Sequence, residues 1–273
     1  MVSPVAGPSD RGYIAAHQPA LPRCTPFPAC LPAAGLGISM VTRVALARHT
    51  PALTSTQRFH LDTYGFVVVP SVLSDAECSV LLAELQSLRN HRPAGSTAVV
   101  REAAERTGLT NLLECGGFIT GYAVHPYLVS LAEELVGGEV RILEQNAIIN
   151  TKRADRSEPF APGWHRGTDS PFASMVKNSM WHCSFVKTLT NLTPLRGPED
   201  GGTLVIPGSH RADAPAEVMI QMAQDDPSLV HQVVAPAGST LLFGESLIHA
   251  TSEITSERER TIITTGYGPP MFP

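Results

Sequence analysis

The spacing of hydrophobic and polar positions changes near residue 139 and divides the chain in two. Before it, "LTSTQRFHLDTYG" reads as a short helix, "FVVVP" as a strand and "SDAECSVLLAELQSLRNH" as a longer helix. Ser74 followed by Glu77 makes a capping box at the start of that helix, satisfying two otherwise orphan amides. "HPYLVSLAEELVGG" predicts a further helix, closed by Gly137 and Gly138. After residue 139 the helical pattern stops. "EVRILEQNAIINTK", "MWHCSFVKTLTNLT", "GGTLVIPGSH", "LVHQVVAPAGSTLLFGE", "SLIHATSEIT" and "RTIITTGYGP" are short, β-branched and punctuated by Gly or Pro. Several alternate apolar with polar residues at period two, as half-buried strands do. Helices first and spaced strands afterwards give an α+β fold class: a jelly-roll (double-stranded β-helix) core with supporting N-terminal helices. No repeat of fixed period is visible.

Residues 1–50 stand apart. They are rich in Pro, Ala and Gly, lack periodicity, and are expected to form a disordered tail ahead of one domain at 51–273. Met40 stands within that tail as an alternative start. Over the whole chain, 43% hydrophobic residues and a mean hydropathy of +0.03 describe a globular protein with a sizeable core. A net charge of −5 excludes a broad nucleic-acid-binding face but leaves room for a localised anion site. No apolar run approaches a membrane-spanning length. The five cysteines are scattered without a CxxC pair, so a disulfide framework or zinc knuckle is not expected. Reduced thiols in a cytoplasm are the simplest reading, and no compact apolar segment suggests a secretory signal.

Three residues of the strand-rich half carry the candidate chemistry. His165 lies in "GWHRGTDSP", His249 in "FGESLIHAT", and Arg260 eleven residues further on, in "RTIITTGY". Histidines from separate strands of one barrel can converge on a metal. An arginine one strand further on would sit deeper, where its planar fork can take a carboxylate bidentately. A metal beside a buried carboxylate receptor is what a 2-oxoacid needs.

From "LTSTQRFHLDTYGFVVVPSVLSDAEC" through "DGGTLVIPGSH" to "HATSEITSERERT", the chain resembles the phytanoyl-CoA dioxygenase-like branch of the Fe(II)/2-oxoglutarate oxygenases. The most specific element is the His-x10-Arg spacing from His249 to Arg260, with Thr251 two residues after the histidine. The resemblance implies that His165 and His249 bind Fe(II) and that Arg260 and Thr251 hold the far carboxylate of 2-oxoglutarate. It also implies that Asn146 and Asn150 offer polar contacts to that cosubstrate, and that dioxygen (O2) is the oxidant.

One departure matters. The family pattern is His-x-Asp/Glu, and here it is His165-Arg166-Gly167. Residues i and i+2 of a strand share a face about 6.6 Å apart, so their side chains can grip one ion. Gly167 offers none. A small residue at this place resembles the iron halogenases of the superfamily, in which chloride or bromide binds where the carboxylate would sit. Gly167 is therefore read as the halide position of a halogenase acting on an aliphatic carbon of a small metabolite. Nucleoside-antibiotic biosynthesis is the suggested setting. Asp169 lies four residues after His165, about 13 Å away in extended chain, unless "GTDSP" turns it back toward the ion. That case, or water in the open place, returns the protein to hydroxylation. A non-catalytic binding descendant is the third reading.

Most other candidates have plainer roles. His210 in "PGSH" reads as a turn residue, and His60, His91, His125 and His231 have no partner spacing. Arg258 shares strand parity with Arg260, but the spacing favours Arg260. "DGGTLVIPGSH" lacks both phosphate-loop and dinucleotide patterns, so its glycines serve a turn. Trp164 and Trp181 read as core or barrel-mouth residues. Lys152, Arg153 and Arg156 form a basic cluster, ordinarily a solvated face. Near the barrel entrance it would suit a substrate phosphate, such as that of a deoxyadenosine monophosphate. Neither a nucleic-acid polymer nor a membrane is expected as partner, and oligomeric state is left open.

Overall fold

A computed structural model describes residues 52–91, 96–168 and 174–270. The expected tail at 1–50 and the rescue candidate Asp169 both lie outside the described residues. In chain order the helices are α1 (Ser55–Tyr64), α2 (Asp75–Asn90), α3 (Gly117–Ala123), α4 (Pro126–Val136) and α5 (Ala216–Asp225). The strands are β1 (Phe66–Val69), β2 (Val99–Ala103), β3 (Arg106–Thr110), β4 (Arg141–Asn150), β5 (Ser174–Lys177) and β6 (Met180–Cys183). They continue as β7 (Val186–Asn191), β8 (Thr203–Val205), β9 (His231–Val233), β10 (Thr240–Gly244), β11 (His249–Thr251) and β12 (Arg260–Gly268).

A seven-stranded antiparallel sheet in the order β1-β10-β7-β12-β4-β3-β2 faces a three-stranded sheet ordered β11-β8-β9. The fold is α+β with a jelly-roll core. The capping box at Ser74 forms as the sequence predicts: the hydroxyl accepts from Glu77 N and the Glu77 carboxylate accepts from Ser74 N. α4 ends on Gly137, whose φ of 84° suits a residue without a β-carbon.

Period-two alternation sorts the large sheet into two faces. Val67, Val186, Leu242, Ala147, Ile149, Ile263 and Tyr267 point outward and pack beneath Leu81, Leu85, Leu128, Leu131 and Leu135 of α2 and α4. Phe66, Leu189, Leu241, Phe243 and Ile262 point inward with Val205 and Val233 of the small sheet. The helices thus cover one face and stiffen the barrel, leaving the inner face for a cavity.

Several elements depart from the sequence expectation. The long strand expected over "MWHCSFVKTLTNLT" is broken at Ser184–Phe185 into β6 and β7. α5 lies in the half where no helix was expected. Its apolar face, with Met219 and Ala223, packs on Ile206 and Ile248. The β2–β3 hairpin and the short α3 also lack a sequence counterpart.

Candidate metal and cosubstrate site

β11 pairs with β8 on one side, His249 opposite Val205 and Thr251 opposite Thr203. On its other side it meets a single antiparallel bridge to His165, with His165 N donating to His249 O and His249 N to His165 O, each at 3.0 Å. Directly opposed residues of an antiparallel pair project to the same side. The two imidazoles therefore stand together, with centroids 4.1 Å apart. His165 Nδ1 lies 2.9 Å from Gly163 O, and His249 Nδ1 lies 2.9 Å from Leu247 O. A carbonyl only accepts, so each Nδ1 donates and each Nε2 is the ring atom left to face a ligand, as in metal-binding histidines oriented through their other nitrogen. Burial pushes His249 down to about 4, so its ring is neutral at ordinary pH.

The place beside Gly167 is not open. Between β10 and β11 the chain makes a tight turn, Leu247 N donating to Gly244 O at 2.9 Å. The turn brings Glu245 opposite Gly167, whose N–H donates to Glu245 O at 2.8 Å. The Glu245 side chain then folds over the glycine. A β-carbon at 167 would fall 1.7 Å from Glu245 Oε2 and 2.6 Å from its Cδ. The Glu245 carboxylate, from the turn between β10 and β11, thus stands in the space that the sequence reading reserved for a halide. Glu245 is 3% exposed. Its Oε1 accepts from Lys187 Nζ at 3.1 Å, and its Oε2 lies 4.0 Å from His249 Nε2. Lys187 also pairs with Glu144. Burial pulls this lysine down, but the two carboxylates outweigh that and raise it above its ordinary value.

Among the described residues no group of three His, Cys, Asp or Glu is already drawn together around a metal position. What the site does bring together is two adjacent imidazoles and, 4.0 Å from His249 Nε2, one buried carboxylate, which are residue types that iron accepts as ligands.

The histidines open into a cavity of about 480 Å³. It is walled by alternate residues of the inner face: Asn146, Ile148 and Asn150 of β4, Lys187 and Leu189 of β7, and Arg260, Ile262 and Thr264 of β12. Thr251 also lines it. At the closed end Arg260 is 2% exposed and has no carboxylate partner among the described residues. Its Nη1 donates to Gly202 O and its Nη2 to Thr203 Oγ1, both at 3.1 Å, while Nε has no acceptor. Burial, with Arg106 nearby, lowers it to about 10, still charged at neutral pH. Asn150, directly between Arg106 and Arg260 across three strands, has an Nδ2 without an acceptor. A buried cation and unmatched donors fit an anionic ligand.

Arg258 is accounted for elsewhere, its Nη1 donating to Asp200 Oδ1 at 2.9 Å. The basic loop is partly paired: Arg153 and Arg156 share Glu253 at 3.7 and 3.3 Å, and Lys152 pairs with Glu257. Two acids of the segment between β11 and β12 thus offset two of the three cations, leaving one net positive charge among these five side chains. Trp181 is core, 1% exposed, with the ring edge of His210 against it. Two site residues escaped the sequence reading. Thr203 sits in a segment read as a strand entered by a glycine turn, with no role given to its hydroxyl. Glu245 stands four residues before His249, a spacing that signals nothing until the turn is known.

A family model for phytanoyl-CoA dioxygenase matches residues 61–262. The chain is 24% identical over 217 residues to dioxygenase af480 of Aspergillus fumigatus, an alignment spanning 77% of this chain and 65% of the relative's length. Among solved structures, HygX of Streptomyces hygroscopicus with nickel and 2-oxoglutarate bound superposes with a TM-score of 0.67 at 23% identity, over 81% of this chain and 89% of its own. EctD of S. alaskensis with 2-oxoglutarate and 5-hydroxyectoine gives 0.63 at 18% identity, over 81% and 78%. The same fold also carries the epimerase SnoN of nogalamycin biosynthesis, with a TM-score of 0.59 at 20% identity over 78% and 81%. With the family match running from α1 into β12, the chain belongs to the phytanoyl-CoA dioxygenase family of iron- and 2-oxoglutarate-dependent oxygenases.

Proposed function

We propose that this protein is an Fe(II)- and 2-oxoglutarate-dependent oxygenase that hydroxylates an aliphatic carbon of a small metabolite. The observation that carries the reading is the pairing of two lone-pair-bearing histidines with a buried, carboxylate-free arginine across one cavity. His165 and His249 would hold the iron. Arg260, with Thr203 and Asn150 beside it and Thr251 and Asn146 on the same cavity wall, would receive 2-oxoglutarate. Bound iron supplies activation of dioxygen (O2) for attack on an unactivated C–H bond. The protein's own part is to orient both ligands and keep bulk water from the inner wall. Support for the cosubstrate comes from HygX, whose structure with nickel and 2-oxoglutarate shares this fold. The cavity is within the usual range of small-molecule sites, and its wall mixes Ile148, Leu189 and Phe243 with polar groups.

Halogenation is the second reading, and the bare Gly167 is what favours it. It is weaker because a halide there would face the Glu245 carboxylate. The carboxylate stands in the space a halide would need, and repulsion between the two anions adds to that, reduced by the Lys187 ammonium 3.1 Å from Glu245 Oε1. Turnover with and without saturating chloride or bromide separates the two. Hydroxylated product alone in both conditions is expected. Halogenated product growing with halide concentration would reverse the assignment.

A further inference from the structure

Building on the reading of His165 and His249 as iron ligands, we infer that Glu245 supplies the third protein ligand, replacing the carboxylate missing at position 167. Gly167 and Glu245 are complementary halves of one relocation. The glycine is not required by its backbone, because its φ is not in the left-handed region. It fits the space, since a β-carbon would lie 1.7 Å from Glu245 Oε2 as that side chain now stands. An aspartate here would need the glutamate to swing aside.

The two oxygens of Glu245 are differentiated. Oε1 accepts from Lys187, which Glu144 anchors from the other side. Oε2 has no donor among the described residues and is the atom turned to Gly167 and to His249 Nε2. A carboxylate with one oxygen held by a lysine and the other turned toward His249 Nε2 is oriented as a ligand's supporting contacts would orient it. The separation of 4.0 Å from His249 Nε2 is wider than the roughly 3 Å between neighbouring donors about 2.1 Å from one ion. A glutamate side chain, with three rotatable bonds, spans such a difference without backbone movement. Lys187 also offsets charge that a second acid in this pocket would otherwise leave uncompensated.

The test is anaerobic metal binding by the full chain, without turnover. Co(II) is titrated by calorimetry and by its visible absorption bands into wild type, Glu245→Gln, Glu245→Ala, Gly167→Asp and the double variant Glu245→Ala with Gly167→Asp. Glu245→Gln is expected to weaken binding at least 30-fold and to change the cobalt spectrum. Gly167→Asp alone is expected to bind poorly or to lose stability from the clash. The double variant is expected to return to within about 5-fold of wild type, because the aspartate then fills the cleared place. Wild-type affinity and spectrum in Glu245→Gln, or a double variant no better than Glu245→Ala, would overturn the inference. His249→Ala is the control for the underlying reading: undiminished Co(II) binding in that variant would sink the metal site as a whole, not Glu245 alone.

Discussion

Replacing Arg260 with Gln should weaken anaerobic 2-oxoglutarate binding about 100-fold, a loss of about 3 kcal/mol, because a charge-assisted contact at a buried site disappears. Arg258→Gln should leave that affinity within about 2-fold, since its guanidinium is held by Asp200 outside the cavity. Titration of the metal-to-2-oxoglutarate absorption band reads both. Equal losses in the two variants would dissociate Arg260 from the cosubstrate. At this scale the sequence was informative where chemistry follows spacing: the His249 to Arg260 interval pointed to residues that share one cavity. It was silent where a turn decides. Gly167 read as an absence, and only the fold reveals that a glutamate 78 positions away fills it. The pairing of the basic loop was equally hidden, because Glu253 and Glu257, which offset two of its three charges, lie about 100 residues further along the chain.

Among elements, the turn before β10 is the most constrained. Gly238 O accepts from Val72 N at 2.9 Å and Leu73 N at 3.1 Å, tying the start of β10 to the segment after β1. Gly238 has φ 76°, and a β-carbon there would stand 2.1 Å from Leu73 O, a backbone atom that cannot swing aside. Gly238→Ala should therefore cost about 2–4 kcal/mol, from left-handed strain plus overpacking. In a domain of this size that lowers Tm by about 5–12 °C, measured by thermal denaturation. A loss below about 1 kcal/mol would mean that the turn yields easily. Elements with strong local signals, the capped α2 and the long alternating β4 and β12, were legible from the sequence. α5 was not: its ten residues carry no side-chain cap, and its apolar stripe gains meaning only against Ile206 and Ile248. The β2–β3 hairpin was hidden for another reason, since β2 is largely solvent-facing and shows no buried alternation.

For the molecule as a whole, buried histidines couple stability to pH. Burial depresses both His249 and His210 to about 4 from 6.5. On unfolding each regains its ordinary affinity for a proton, so between pH 6.5 and 4 the unfolded chain binds more protons than the folded one. Stability of the metal-free protein should fall as pH drops through that window, by up to about 1.4 kcal/mol per pH unit for each histidine. His182, also lowered by burial, adds to the same trend. Denaturant titrations at half-unit steps would show it, and His210→Asn should make the slope shallower without abolishing it. A flat profile would mean that these rings are not held neutral. Fold class was the most legible property at this scale, because helices followed by evenly spaced strands leave few ways to build a core. The inner face of the barrel was the least legible, because which of two alternating faces holds the cavity depends on where the helices dock.

The central claim is that the chain's own carboxylate, delivered by Glu245, takes the place beside His165 and His249 that an external halide would need. Anaerobic crystals grown with Co(II) or Fe(II) and 2-oxoglutarate, soaked in bromide and measured at the bromine absorption edge, test it most directly. A Glu245 oxygen on the metal, with no anomalous peak beside Gly167, is the expected result. A bromine peak on the metal with the Glu245 side chain turned away would contradict it.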